Sequence, residues 1–291
     1  MSEPTVSVIV PCHNGGRFLD DLCGTLAAQT FRDFETIVVD DGSTDEETRC
    51  KIAALDPSIR VLRQEKKWMA GARNTGFRAA RGEFVLPLDC DDRLDPSFLA
   101  ETVAVMRAAA PDIGFAFAHV RLAGDMDGVM PRHFNGFDQL FLNQLPYCML
   151  IRRSAWEAAG GEDESMRDGG EDWEFSIRLL RAGWRGVEIA KPLLIYRVSL
   201  DGALMSRAAR RHGTIWRYIR TKHPDLYRLS ALIAAWRSNR APPGKIAPLK
   251  AAGLLGLAKL LPEAWFNDLF YRMLVATRTR RVERGDYQPA P

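Results

Sequence analysis

Four carboxylates stand within seven residues at the end of an apolar run. The stretch LPLDCDDRLDP (86–96) carries Asp89, Asp91, Asp92 and Asp95. Crowded like charges repel, so this cluster becomes favourable where a cation shares its charge, and Mg²⁺ or Mn²⁺ prefers such hard oxygen ligands. A D-x-D spacing on an extended segment points Asp89 and Asp91 to the same side. The pattern indicates a divalent-cation site; the alternative is a solvated acidic loop in which Asp95 caps a helix.

A second acidic stretch, VDDGSTD (39–45), also follows an apolar run. Asp41 at a strand end can accept the imide N–H of a uracil or thymine ring. The alternative is a turn in which Gly42 supplies a positive φ and Ser43 caps a helix in a box with Glu46. Both interpretations can hold, because capping leaves Asp41 free.

Two further stretches carry charged residues beside small ones. GARNTG (71–76) offers Arg73 to a pyrophosphate or a base, or else holds an ordinary exposed helix arginine. Glu171 and Asp172 follow Gly169–Gly170 at a predicted helix start, where acidic residues are favourable. The flexible glycine pair can also bring a general base onto a reacting hydroxyl.

The cysteines and histidines show no metal-ligand spacing. The five cysteines are odd in number, scattered and without a C-x-x-C pair, which favours a reducing, cytoplasmic setting over a disulfide framework or a zinc site. The five histidines are interpreted as ordinary side chains: His13, His119, His133, His212 and His223.

Strands and helices alternate along the first 90 residues. Strands are predicted at 5–11, 34–40, 59–64 and 83–89, and helices at 17–29, from 43 onward and at 69–80. This alternation predicts βαβ units, hence a largely parallel sheet whose strands are buried on both faces. Ligands of such sheets bind at the carboxyl ends of the strands, which is where the polar stretches fall.

The second half is less regular. A helix is predicted to end at about residue 109, with Asp95 as its N-cap and Pro96 as its first residue. Strands are predicted at 113–123, 148–153 and 187–198, a helix at 171–184, and loops over 124–146.

Composition sets the outer bounds. A chain of 291 residues suits one large α/β domain or a domain with an appendage. The start lacks signal-peptide features, and no apolar run is long enough for a spanning helix. Residues 201–291 carry 17 Lys and Arg against 6 Asp and Glu, whereas the rest of the chain is acidic. The two parts are expected to face different partners.

Taken together, these stretches resemble the family 2 glycosyltransferases, which have the GT-A fold. The likeness covers about residues 4–200 and lies in the order of the motifs as well as their content. VSVIVPCHNGG through VVDDGSTDEE is similar to the family's nucleotide-binding half, ARNTGFRAARGEFVLPLDCDD to its D-x-D segment, and GGEDWEFSIRLLRAG to its E-D motif. The resemblance implies a Rossmann-like, mostly parallel central sheet flanked by helices, divided as 1–92 (nucleotide) and 93–200 (acceptor), with a basic helical extension at 201–291.

The resemblance also implies site roles. Four residues would line the nucleotide pocket, with the third on the base: Pro11, Asn14, Asp41 and Arg73. Asp89 would lie near the ribose, and Asp91 would ligate the metal with Asp92 close by. Which of these aspartates touches the ion varies within the family, so Asp92 is also a predicted metal ligand. Asp172 would be the general base, with Glu171 beside it.

The sequence departs from the family pattern at two places. Cys12 or His13 stands where many relatives have tyrosine. IYRVSLDGALMSR (195–207) lacks the histidine that helps hold the metal in many relatives. The segment can still act as a lid whose polar residues approach the phosphates: Arg197, Ser199, Ser206 and Arg207.

The basic extension contains an apolar, aromatic-rich stripe at 263–274. Its members are Trp265, Phe266, Leu269, Phe270, Met273 and Leu274. With the lysines of 246–262 and the arginines of 276–284, it suits a helix lying on anionic lipid, giving peripheral membrane contact through 246–284. The alternatives are packing on the catalytic domain or on a second subunit of a homodimer. No motif supports a nucleic-acid partner.

The function indicated by these residues is an inverting glycosyltransferase. It would move a sugar from a nucleotide-sugar donor, with UDP favoured, to a glycan or lipid-linked acceptor, using Mn²⁺ or Mg²⁺ in bacterial surface-glycan assembly. Two other classes remain open. One is a sugar-phosphate nucleotidyltransferase, whose usual Gly-rich first loop is missing; the other is a nucleotide-binding protein without catalysis. The sugar, the acceptor and the linkage are not determined by the sequence.

Overall fold

The computed structural model describes residues 3–199, 210–239, 244, 246–283 and 287–289, with side chains through 273. The strands are β1 Val6–Cys12, β2 Phe34–Asp41, β3 Arg60–Gln64, β4 Phe84–Pro87, β5 Arg93–Leu94, β6 Ile113–Gly124, β7 Met126–Met130, β8 Leu150–Arg152, β9 Arg185–Val198 and β10 Tyr287–Pro289. The helices are α1 Leu19–Ala27, α2 Glu46–Ala53, α3 Trp68–Ala79, α4 Phe98–Ala108, α5 Arg153–Ala159, α6 Glu171–Arg181, α7 His212–Lys222, α8 Leu229–Ser238, α9 Pro248–Leu260 and α10 Glu263–Glu283.

One twisted sheet runs through the molecule in the order β10-β7-β6-β8-β4-β1-β2-β3, with β9 beside β6 and β5. β1 pairs in parallel with β2 and β4, so Val6 has Phe34 on one side and Phe84 on the other. The short β8 is antiparallel to both β4 and β6. The parallel strands therefore end at one edge, where β1, β2 and β4 deliver the segments predicted to carry the site.

The strands at the centre of the sheet are buried on both faces, as predicted from their apolar runs. Val6, Val8 and Val10 of β1 pack into one cluster with α1 and α4, whereas Ile9 packs into a second cluster with α3, α5 and α6. Helices thus cover both faces, which is the arrangement that buries a parallel sheet.

A third cluster joins the C-terminal helices to the rest of the chain. Trp216 of α7 packs with Phe141, Trp173 of α6 and Phe266 of α10. The Trp216 indole N–H donates to the backbone oxygen of Leu140 at 2.8 Å. The proposed boundary at 200 between a catalytic domain and an extension stays a prediction, because no observation tests it.

The predicted apolar stripe of 263–274 divides between two surroundings. Phe266 and Phe270 are buried in the third cluster, at 4% and 5% exposure, whereas Trp265, Leu269 and Met273 are 68%, 38% and 51% exposed. The side chain of Leu274 lies outside the described residues, as do residues 284–286. Packing on the body of the protein therefore accounts for only part of the stripe.

Two helix starts differ from the sequence prediction. The predicted cap at Ser43 is wrong: α2 begins at Glu46, and Asp45 caps it by accepting a hydrogen bond from the Thr48 backbone N–H at 2.8 Å. The Ser43 hydroxyl instead accepts the backbone N–H of Asn14. A smaller correction concerns 124–146, where β7 occupies part of the predicted loop.

The fourth helix also starts later than predicted. Asp95 and Pro96 precede α4, which begins at Phe98. The Asp95 carboxylate accepts the Ser97 N–H at 2.9 Å and the Ser97 hydroxyl at 2.7 Å, which closes a turn just before the helix. None of the helices in the described ranges is long and apolar enough to cross a membrane.

Close packing of α3 on the sheet gives a first prediction. A Cβ added at Gly76 would lie 2.1 Å from Ile9 Cγ2, whereas a Cβ at Gly24 in α1 meets nothing within 4 Å. We expect Gly76→Ala to lower the free energy of unfolding by about 1–3 kcal/mol, because the buried strand cannot yield. We expect Gly24→Ala to raise it by about 0.5–1 kcal/mol. Urea unfolding followed by circular dichroism measures both, and equal effects would contradict the described packing.

Candidate active site

Hydrogen bonds join the segment after β1 to the segment after β2. Asn14 has a φ of 53°, a left-handed conformation that asparagine tolerates better than most residues. Its side-chain oxygen accepts the backbone N–H of Thr44 at 2.8 Å and of Asp45 at 3.3 Å. Pro11 is buried within β1 beside Val39 of β2. Pro11 and Asn14 therefore hold the ends of β1 and β2 together, and their place in a nucleotide pocket stays a prediction.

Asp41 lies at the end of β2 and is 3% exposed. Its Oδ1 accepts the Gln64 side-chain N–H and the Lys67 backbone N–H, both at 2.7 Å. Oδ2 takes part in neither contact, so it is the oxygen available to a base N–H. His13 places Nδ1 2.9 Å from the Asp41 backbone oxygen.

The turn after β4 separates the roles of Asp91 and Asp92. Asp92 is 2% exposed, and both of its oxygens are used. The Tyr147 hydroxyl donates to Oδ2 at 2.6 Å and the Arg197 backbone N–H to Oδ1 at 2.7 Å. Burial, followed by the charges of Asp89 and Asp91, holds the pKa of Asp92 well above its ordinary value. These contacts argue against the predicted metal ligation by Asp92.

Asp91 is the half-buried acid of this turn. Arg197 Nε donates to its backbone oxygen at 3.1 Å. Burial and then the neighbouring Asp89 raise the pKa of Asp91. A carboxylate whose ionised form is opposed in this way gains from a nearby cation, so the donor set fits a divalent ion held through Asp91.

Arg73 connects the two halves of the site. Its guanidinium lies 2.8 Å from Asp89 and 3.3 Å from both Glu162 and Glu171, and its side chain is only 3% exposed. Burial lowers the pKa of Arg73, but the three carboxylates outweigh burial and hold it well above its ordinary value. Arg73 is therefore not an exposed helix arginine, and its guanidinium is occupied by carboxylates; it links the turn after β4 to α6.

Glu171 and Asp172 open α6 in different environments. Glu171 is buried, and burial followed by the charge of Asp172 raises the pKa of Glu171 to about 8. Asp172 is half-buried; its Oδ2 accepts the Asn143 side-chain N–H at 2.9 Å, and its Oδ1 accepts the Trp173 backbone N–H at 2.8 Å. Of the pair, Asp172 has the accessible carboxylate.

Sequence reasoning missed two residues of this site, Glu162 and Tyr147. Glu162 pairs with Arg73, and the Tyr147 hydroxyl donates to Asp92. Arg197, predicted for a lid over the phosphates, donates to the Asp91 backbone oxygen instead. A signal existed for Glu162, because GGED occurs at 160–163 as well as at 169–172. All four glycines of these repeats have a positive φ, and both glutamates meet at Arg73.

The predicted lid is only partly described. Arg197 donates to the backbone oxygen of Asp91 and pairs with Asp21 at 2.9 Å, so its guanidinium is engaged by the protein. Ser199 is exposed just after β9. Ser206 and Arg207 lie outside the described residues.

Two solved structures with the same fold contain a nucleotide sugar. A mannosyltransferase from Pyrobaculum calidifontis, solved with GDP-Man and Mn²⁺, aligns over 97% of this chain and 88% of its own, with a TM-score of 0.59 and 21% identity. S. aureus TarS 1–349 with UDP-GlcNAc aligns over 94% and 92%, with a TM-score of 0.58 and 17% identity. At these identities the likeness establishes the fold, and the predicted GT-A architecture is confirmed.

The family follows from the sequence comparison. Residues 7–158 match the family model described as Glycosyl transferase family 2, and the chain belongs to that family. The glycosyltransferase GlyG of Streptococcus pneumoniae is 41% identical over 95 residues, which are 32% of this chain and 31% of GlyG. The putative glycosyltransferase EpsH of Bacillus subtilis is 34% identical over 100 residues, 34% of this chain and 29% of EpsH. The chain thus covers less than a third of the length of these curated relatives.

The buried acids around Arg73 predict a pH dependence of stability. Burial, opposed by Arg73, raises the pKa of Glu162 from 4.5 to about 7, so the folded protein holds a proton there that the unfolded chain releases. The free energy of unfolding should therefore fall as pH rises from about 5 to 8. Glu162→Gln removes this titration. Over the same pH range its free energy of unfolding should fall less than that of the unmodified protein, by on the order of 1–3 kcal/mol. Urea unfolding at four pH values measures the slopes.

The control for this measurement is Glu157→Gln, which removes an exposed carboxylate from α5. Its slope should match that of the unmodified protein. Parallel slopes for Glu162→Gln and Glu157→Gln would show that Glu162 does not hold a proton in the folded state.

Proposed function

We propose that this protein is a metal-assisted, inverting glycosyltransferase that uses a nucleotide-sugar donor. The observation that carries the proposal is the single buried network around Arg73. Through Asp89 it reaches the turn that carries Asp91, and through Glu171 it reaches the start of α6 that carries Asp172. A donor-binding carboxylate and an acceptor-activating carboxylate are thereby held in one frame.

The donor would bind along the strand ends. Asp41 Oδ2 would accept the base N–H, Asp89 would lie near the ribose, and Asp91 would hold Mn²⁺ or Mg²⁺. When bound, the cation neutralises charge that develops on the leaving diphosphate. Nucleotide sugars in the two similar structures support this donor class, and we favour a UDP-sugar.

The chemical step would be one direct displacement. The acceptor hydroxyl oxygen forms a bond to the anomeric carbon from the face opposite the diphosphate, and the anomeric carbon–oxygen bond to phosphate breaks. The hydroxyl proton passes to Asp172. The contact from Asn143 to Asp172 Oδ2 orients that carboxylate, and α6 presents it at the end of the helix where negative charge is favoured. A single displacement inverts the anomeric configuration.

We further propose a glycan or lipid-linked acceptor and peripheral membrane contact through residues 246–284 of the basic extension. Exposed apolar side chains support the second point: Leu249 and Leu260 of α9 are 85% and 83% exposed, and Trp265 of α10 is 68% exposed. Leu249 and Leu260 are three helical turns apart and share a side of α9. Lys250 and Lys259 beside them are exposed and would attract anionic lipid.

The decisive test measures nucleoside diphosphate release from UDP-, dTDP- and GDP-sugars, with Mn²⁺ or Mg²⁺ and candidate acceptors. We expect metal-dependent release from one donor. Asp172→Asn should slow it about 10²–10⁴-fold because the general base is lost. Asp91→Asn should remove the metal dependence, and Asp56→Asn, an exposed aspartate in the loop before β3, should have no effect.

The other two function classes give different results in the same assay. Pyrophosphate formation from a sugar phosphate and a nucleoside triphosphate would identify a nucleotidyltransferase. Metal-linked nucleotide binding by calorimetry, with no turnover of any donor, would identify a binding protein. Full activity of Asp172→Asn would refute the role of that residue.

The membrane proposal has its own test. Leu260→Gln should weaken binding to vesicles containing phosphatidylglycerol by roughly tenfold, since burying a leucine contributes about 1.5–3 kcal/mol. Co-sedimentation measures the partition. Leu229→Gln is the matched control, because Leu229 is 75% exposed on α8, outside the proposed surface. Equal vesicle binding by both variants would show that α9 does not contact the membrane.

A further inference from the structure

Three potential metal ligands meet on the sheet, at a place that the proposed reaction does not use. His119 lies on β6, Glu188 lies on the neighbouring β9, and His133 lies in the segment after β7. His119 Nε2 is 2.9 Å from Glu188 Oε1, and His133 Nδ1 is 3.1 Å from both Glu188 oxygens. One ligand atom from each residue lies within 4.8 Å of the other two.

The cluster is held by packing as well as by hydrogen bonds. Phe117 of β6 is the register partner of Glu188, and Phe134 stands edge-on to the Phe117 ring at 6.4 Å. The two imidazoles are likewise edge-on, with centroids 5.6 Å apart. Phe134 follows His133 in the chain, so its contact with Phe117 holds His133 in place. Ligands fixed in this way need little rearrangement to receive an ion.

Two of the three ligand separations are close to those of a tetrahedral transition-metal site. Zn²⁺ bonds of about 2.0–2.1 Å at a tetrahedral angle separate neighbouring ligand atoms by about 3.3 Å. The two contacts to Glu188 are within a few tenths of an ångström of that separation. Two imidazoles and one carboxylate are a donor set for Zn²⁺, whereas Mg²⁺ and Ca²⁺ require oxygen ligands.

We propose that His119, His133 and Glu188 form a binding site for a divalent transition-metal ion of the Zn²⁺ class. Water completes the fourth position, because the His133 side chain is 52% exposed and opens the site to solvent. In the metal-free protein the imidazole N–H groups donate to Glu188; a neutral imidazole frees that nitrogen by carrying its proton on the other one. The bound ion ties the segment at 131–135 across β6 and β9.

This site is independent of the proposed sugar transfer, and the experiment keeps the two apart. Protein without a polyhistidine tag, carrying Asp91→Asn to remove the donor-site cation, is titrated with Co²⁺ and followed by its visible d–d absorption. We expect one equivalent of Co²⁺ to give the intense bands of a tetrahedral site, displaced by Zn²⁺ but not by Mg²⁺. In the same background, Zn²⁺ should raise the melting temperature by several degrees.

His133→Gln and Glu188→Gln should each weaken Co²⁺ binding at least tenfold and abolish the stabilisation by Zn²⁺. His133→Gln alters an exposed side chain, so it tests the site without emptying the core. Glu157→Gln, with the same loss of charge on an exposed helix, should bind as the parent does. The proposal is overturned if no tetrahedral spectrum forms, or if the spectrum survives both substitutions. Thiolate charge-transfer bands from Cys12 and Cys90 would likewise overturn it, since they would place the ion at the strand ends.

Discussion

Burial of the Arg73 guanidinium among carboxylates is the constraint on which the candidate active site depends. Taking one such charge out of water costs several kcal/mol unless partners surround it, and removing a partner from a buried pair costs about 3–5 kcal/mol. Its partners come from three places in the chain: Asp89 after β4, Glu162 after α5 and Glu171 at the start of α6. A shift of any one of these segments would remove a hydrogen-bond acceptor from the buried guanidinium. The network therefore fixes the distance between the turn after β4 and the start of α6 more firmly than apolar packing alone would.

A second set of contacts fixes the same region. The Tyr147 hydroxyl donates to the Asp92 carboxylate, and Arg197 donates to the Asp91 backbone oxygen. The Asn143 side chain donates to the Asp172 carboxylate. Tyr147 and Asn143 belong to the irregular segment that follows β7, and the proposed metal ligand His133 lies in that same segment. A loop region with little regular structure thereby acquires defined geometry, because its polar side chains have specific buried partners.

The predicted elements of the parallel half could be derived from the sequence because their periodicity is local. Apolar runs in the sequence predicted the strands β1, β2, β3 and β4. The ends of these strands predicted where Asp41 and Asp91 would lie. Burial of Arg73, the occupied carboxylate of Asp92 and the role of Glu162 could not be derived, since each depends on partners far away in the chain. The start of α2 was misplaced because both Ser43 and Asp45 can cap a helix. The Ser43 hydroxyl accepts the Asn14 backbone N–H instead, a contact from a distant part of the chain, and Asp45 becomes the cap.

The spacing of the Arg73 network along the chain has a consequence for synthesis. Arg73 lies 89 residues before Glu162 and 98 residues before Glu171. At a ribosomal rate of about 5–20 residues per second, roughly 5 to 20 seconds pass between the emergence of Arg73 and that of its last counter-ion. During that interval the nascent β1–β4 half carries a cation in its interior with Asp89 alone to neutralise it. The β1–β4 half is therefore expected to reach its final stability only when α6 docks on it.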